Sequence, residues 1–151
     1  MAKALLSERM AIPSFYLEGR EGLVFDSQDF KRNKNLILYF VSQIESDFLL
    51  KLEDAQPSLR AQNAETAVIS SLPIFRIEEV YKKHRLSFSI LSDGDRSVLA
   101  KFLKTDPFET YGALFVTSKT GEIFSKTVVS KNSDLPPPSD VVQLLRFIES
   151  Q

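Results

Sequence analysis

The chain contains no cysteine among its 151 residues. That absence excludes disulfides, cysteine-ligated zinc and any thiol nucleophile within the chain. It does not report a redox compartment, because a cysteine-free chain is compatible with any. Long apolar runs are missing as well. No stretch approaches the roughly 20 consecutive apolar residues of a membrane-spanning helix. Residues 1–10, broken by Ser7, Glu8 and Arg9, lack the apolar centre of a signal peptide. The expectation is therefore a cytoplasmic protein with no membrane partner. No charge of one sign dominates: 19 Lys and Arg stand against 20 Asp and Glu, for a net charge of −1, so nucleic acid is not an expected partner. The densest basic run, Lys82-Lys83-His84-Arg85, suits the C-terminal end of a helix, where cations favour the dipole. His84 is the one histidine. With no sequence neighbour to support acid–base work, it is expected as a surface residue. Asp93-Gly94-Asp95 lacks the further oxygen ligands of a calcium loop and reads as a turn with a helix cap. Neither a metal nor a cofactor is expected.

What is present is the material of one core. An apolar fraction of 43% with 12 phenylalanines is globular in character, and the length fits a single domain spanning 1–151. Strand and helix patterns alternate, which argues for an α/β fold. Leu36-Ile37-Leu38-Tyr39-Phe40-Val41 suits a central strand buried on both faces. Phe48, Leu52, Ala55 and Leu59 then recur at helical spacing. Ser46 or Asp47 is expected to cap this helix, and Pro57 to kink it or end its first part. Thr66 to Ser70 reads as a second buried strand, Ile74, Ile77 and Tyr81 as a helix face, and Phe88 to Leu91 as a short strand. Val98, Leu99 and Phe102 mark another helix. Ala113-Leu114-Phe115-Val116 and the segment from Glu122 to Val129 are expected to pair antiparallel across a turn at Gly121. After Pro136-Pro137-Pro138, a last helix capped by Ser139 carries Val141, Leu144, Leu145 and Ile148.

The order of short motifs adds a family resemblance. Ile12-Pro13-Ser14-Phe15 with Leu17 resembles the "aPdFtL" opening of the peroxiredoxin (AhpC/TSA, redoxin) family. Ser27-Gln28-Asp29-Phe30-Lys31 is similar to its "LsDfkGk" segment, and Leu36 to Phe40 to its "vvLyF" strand. His84 to Asp93 resembles "hgLpFpLLSD". Ala113 to Val116 with Gly121-Glu122-Ile123 resembles "atFliDkdGkI". The resemblance implies a thioredoxin-like α/β fold, a central mixed β-sheet flanked by helices, with a peroxiredoxin-type N-terminal extension.

The same resemblance locates a degenerate active site. The family's Thr-x-x-Cys motif falls on Ser46-Asp47-Phe48-Leu49. Leu49 thus stands in the place of the peroxidatic cysteine and Ser46 in that of the threonine. The activating arginine corresponds to Gly112, preceded by Tyr111, and no proline stands at the Gly112-Ala113 junction. Peroxide reduction needs a thiolate made available by nearby positive charge, and each of those parts is missing. Glu45, Asp47, Glu53 and Asp54 flank the place as a potential acidic rim.

These residues imply a redoxin-like domain without thiol chemistry that acts by binding a protein partner or by homodimerising. A helix cannot bury Phe48, Leu49 and Leu50 on one narrow face. Either all three are buried in the core, or one or more is exposed and marks a contact surface of Phe48, Leu49 and Leu50 with Tyr111 and Gly112 facing it, where Phe48→Ala or Leu49→Asp would break an association without unfolding the domain. The alternatives are an oxidoreductase-family subunit working beside a cysteine-bearing homologue, or a small-ligand protein using the old peroxide pocket.

Overall fold

A computed structural model describes residues 10–30, 33–103, 112–131 and 134–149. The strands are β1 (Tyr16–Glu18), β2 (Val24–Asp26), β3 (Asn35–Val41), β4 (Ala64–Ser70), β5 (Ser89–Ser92), β6 (Gly112–Thr117) and β7 (Ile123–Val129). The helices are α1 (Ser46–Ala61), α2 (Ile74–Lys83), α3 (Ser97–Leu103) and α4 (Pro138–Glu149), with short 3₁₀ turns at Arg20–Gly22 and Ser27–Phe30. All seven strands join one mixed sheet in the order β2-β1-β5-β4-β3-β6-β7. β3, β4 and β5 run parallel, β6 and β7 run antiparallel beyond β3, and the β1–β2 hairpin extends the far edge.

The apolar run of β3 explains why it is central. All seven of its residues are buried, and alternation sends them to two cores. Ile37, Tyr39 and Val41 meet α1, α2 and α4 on one face, with Leu49, Leu52, Ile77 and Leu145. Leu36, Leu38 and Phe40 meet α3 and the N-terminal extension on the other, with Phe15, Phe25, Phe102 and Phe115. The extension is fastened at Ser27, whose Oγ accepts the Phe15 N–H at 3.0 Å while its own N–H donates to the Phe15 carbonyl at 3.0 Å. Thr117 Oγ1 accepts the Leu36 N–H at 2.8 Å at the start of β3. Asp93 caps α3 as expected: its two carboxylate oxygens accept the N–H groups of Val98 and Leu99 at 3.2 and 3.0 Å.

Three local expectations are corrected. α1 does not end at Pro57, which lies within it at an exposed position. The helix continues because its packed face, Leu49, Leu52, Gln56 and Leu59, outweighs one lost backbone bond. Its N-cap is Glu45, in extended conformation and without a side-chain cap bond, so neither Ser46 nor Asp47 caps it. Ser139 is likewise inside α4, which begins at Pro138, a residue whose fixed φ suits a first helical turn.

Two phenols are held in the protonated form. Burial, and secondarily the charge of Asp140, pushes Tyr39 well above the ordinary tyrosine range. Burial also raises Tyr81, against weaker opposing effects. A folded-state pKa above the unfolded one gives stability that is complete below about pH 10 and lost as pH rises through the folded values. Urea stability should therefore fall on going above about pH 10, with the fall reduced in Tyr39→Phe. Absorbance titration of the phenolates alongside the denaturation series checks it.

Candidate functional site

The candidate site lies where β3 delivers the chain into α1. Val41, the last residue of β3, pairs with Gly112, the first of β6, so the end of β3 and the start of β6 lie side by side. Residues 42–45 then lead into the first turn of α1, which the Leu49 N–H closes by donating to the Glu45 carbonyl at 3.1 Å. Ser46, Leu49 and Gly112 thus lie at one end of the sheet. Tyr111 lies outside the described residues.

The residues themselves are arranged for packing. Leu49 is 1% exposed and belongs to the core with Tyr39, Leu52 and Leu114. It is therefore not a contact-surface residue, contrary to the expectation from three consecutive apolar side chains. The helix resolves that conflict by rotation: Leu49 points inward, Leu50 outward at 49% exposed, and Phe48 sits between them, half-buried. Phe48 stands edge-on to Tyr39 with ring centroids 5.1 Å apart.

Ser46 is exposed, and its hydroxyl lies 3.2 Å from Nε2 of His84. His84 is the C-cap of α2, 38 residues away, and half-buried rather than a plain surface residue. Proximity in the fold supplies the partner that its sequence neighbours do not. The pair resembles a nucleophile and base, yet among the described residues His84 has no carboxylate or carbonyl to orient its ring, which such chemistry requires. Gly112 contributes backbone alone. It lines a void of about 10 Å3 with Ser42, Ser70 and Arg96, room for about one water. Among the described residues no group of three or more histidine, aspartate or glutamate side chains could hold a metal.

Two features were not legible from the sequence. A groove of about 440 Å3 runs beside α1, lined by Val41, Phe48, Leu135 and the Pro136–Pro138 strap, with Glu45 and Asp47 at its edge. The strap comes from the far end of the chain, and no periodicity relates it to α1. Glu53, placed in the acidic rim by sequence, is instead a structural ligand: its carboxylate accepts the N–H of Ser87 at 2.8 Å and the Ser87 hydroxyl at 2.9 Å.

The sequence profile described as the AhpC/TSA family matches residues 9–125. No curated protein matches the sequence significantly. Among solved structures, reduced 2-Cys peroxiredoxin of Plasmodium vivax superposes with a TM-score of 0.79 at 15% identity, covering 95% of this chain and 82% of that one. AhpC of Mycobacterium tuberculosis gives 0.78 at 14% identity, covering 96% and 94%. Peroxidoxin BcpB of the same organism gives 0.76 at 14% identity, covering 96% and 97%. At such identities the likeness establishes a shared fold.

The two neighbouring leucines should behave oppositely when mutated. Leu49→Ala should cost about 2–5 kcal/mol of unfolding free energy, and Leu49→Asp more, by burying an unpaired carboxylate. Leu50→Asp should stay within about 0.5 kcal/mol of the parent. Urea denaturation followed by circular dichroism checks all three.

Proposed function

The chain belongs to the AhpC/TSA family, and from that premise we propose that it acts by binding rather than by thiol chemistry. The observation that carries this reading is Leu49. The position of the family's nucleophile is occupied by a side chain committed to the core, and no cysteine exists elsewhere to replace it. A thiolate needs positive charge or helix-terminal N–H groups near it. The resemblance puts the family's arginine at Gly112, buried in β6, and the adjoining void has room for about one water.

The binding surface in this reading is the start of α1. Leu50 stands about half exposed, Phe48 borders the groove formed with the proline strap, and Glu45 and Asp47 give that groove an acidic margin. An apolar centre with a polar rim is the usual anatomy of a protein contact. The partner is a second copy of the chain or another protein, and Tyr111 would contribute from outside the described residues. A cytoplasmic setting belongs to the same proposal. No helix among the described residues is long and apolar enough to cross a membrane.

A second reading, a small-ligand site at the old peroxide position, is favoured by one contact. Ser46 and His84 present a hydroxyl and an imidazole together at the first turn of α1. Saturable binding of a small ligand that is lost in both Ser46→Ala and His84→Ala would favour it over protein contact.

Two measurements test the main reading. Peroxide consumption by the purified chain with a dithiol reductant should stay at background. Leu49→Cys should not restore it, because the new thiol would take a position 1% exposed in the core, where burial disfavours the thiolate. Turnover well above background in either protein contradicts the proposal. Leu50→Asp should abolish self-association in sedimentation equilibrium, or capture of a partner, while leaving the unfolding transition in place. Retention of every association in that variant overturns the placement of the surface.

A further inference from the structure

The sheet is incompletely zipped between its N-terminal hairpin and its parallel strands. β1 meets β5 at one residue pair, Glu18 with Ser92, so among the described residues the outer edge of β5 before Ser92 has no strand beside it. A side chain takes the strand's place. The Tyr81 phenol donates to the Phe88 carbonyl at 2.6 Å and accepts the Ile90 N–H at 2.8 Å. Those are two of the backbone groups that an added peptide strand would use, so strand addition at this edge is obstructed. What remains between hairpin and edge is a cleft of about 300 Å3, at the small end of the range for ligand sites.

Charges of both signs line that cleft without satisfying each other. The Arg20 guanidinium lies 3.9 Å over the centre of the Tyr81 ring, a stacking that suits its planar, weakly hydrated cation. The loop presenting it is tightly defined. A Cβ on Gly19 would come 3.3 Å from the Ile90 carbonyl oxygen. Glu21 adopts a positive φ of 55°, and its N–H donates to the Glu78 carboxylate at 3.4 Å. Asp26 and Asp29 line the same cleft, yet among the described residues neither is within ion-pair distance of Arg20. Asp26 has one carboxylate oxygen engaged with the Gln28 N–H at 2.9 Å. Apolar rings, Phe25, Phe30 and Phe88, complete the lining.

We propose that this cleft binds a small zwitterion with an apolar body, of the class of the apolar α-amino acids. Its carboxylate pairs with Arg20, its ammonium with Asp29 and Asp26, and its body packs against the phenylalanines. An anion alone would meet two carboxylates, and a cation alone would meet the guanidinium. A ligand carrying both charges satisfies each group of the cleft with its opposite. The site uses none of Ser46, Phe48, Leu50 or Gly112, so it stands independently of the binding surface at α1.

The test is a titration of the full chain, by calorimetry and by amide chemical shifts, with three probes. These are L-phenylalanine, 3-phenylpropionate, which lacks the ammonium, and phenethylamine, which lacks the carboxylate. L-phenylalanine should bind saturably with shifts centred on Gly19, Ser87 and Ser89, and each truncated probe should bind about tenfold more weakly or worse. Arg20→Gln and Asp29→Asn should each weaken L-phenylalanine by about tenfold, with the thermal transition essentially unmoved. Should a variant unfold, the three-probe comparison on the parent chain decides alone. Binding of phenethylamine as tight as L-phenylalanine would remove Arg20 from the site, and equal binding of 3-phenylpropionate would remove the carboxylates. Either result, or no saturable shift with any probe, overturns the proposal.

Discussion

The rest of the structure depends on the burial of β3 on both of its faces. Each of its seven residues is removed from water, and period-two alternation divides them between two separate cores. Both faces must therefore be covered. α1, α2 and α4 cover one, and α3 with the phenylalanine-rich extension covers the other. The constraint reaches into the candidate site, because α1 starts five residues after β3 ends and must lie on the Tyr39 face. Leu49 is the first side chain of α1 to be fully buried in that core. Within the first turn Ser46 and Asp47 stay exposed and Phe48 is half-buried, while Leu49 is committed to the core.

The same geometry separates what can act from what can only pack. Along the first turn of α1, successive residues point in different directions, so one apolar triplet is divided into a core residue, a bridging ring and an exposed leucine. Ser46 faces His84 rather than capping its helix, and Gly112 offers only backbone. Among the described residues the site has surface and hydrogen-bonding groups, and its serine–histidine pair has no group that orients the ring. The fold rests on β3 and its two cores, whereas chemistry on any such fold rests on a few side chains.

Much of the fold was legible from residue pattern. The continuous apolar run of β3, the helical spacing of Leu52 and Leu59, and the turn at Gly121, which has φ of 83°, each produced the expected element. The misjudged points, Pro57, the caps of α1 and α4, and the placement of Leu49, share one cause. Local propensity ranks alternatives that differ by about 1–3 kcal/mol, and burial of a whole helix face exceeds that. The contact of His84 with Ser46 and the stacking of Arg20 on Tyr81 join residues far apart in the chain, with no periodicity to announce them.

The sequence by itself determined that no thiol chemistry is present and that the chain carries an AhpC/TSA pattern in order, since both depend only on residue identity and spacing. The tertiary structure alone decided which of Phe48, Leu49 and Leu50 faces water. It also brought the lone histidine to the serine in the threonine's place, and it left a charged cleft where β1 fails to zip along β5. Those outcomes depend on how helices rotate against a sheet and how an edge strand is covered. Both are set by packing energies summed over distant residues, which no local stretch of sequence contains.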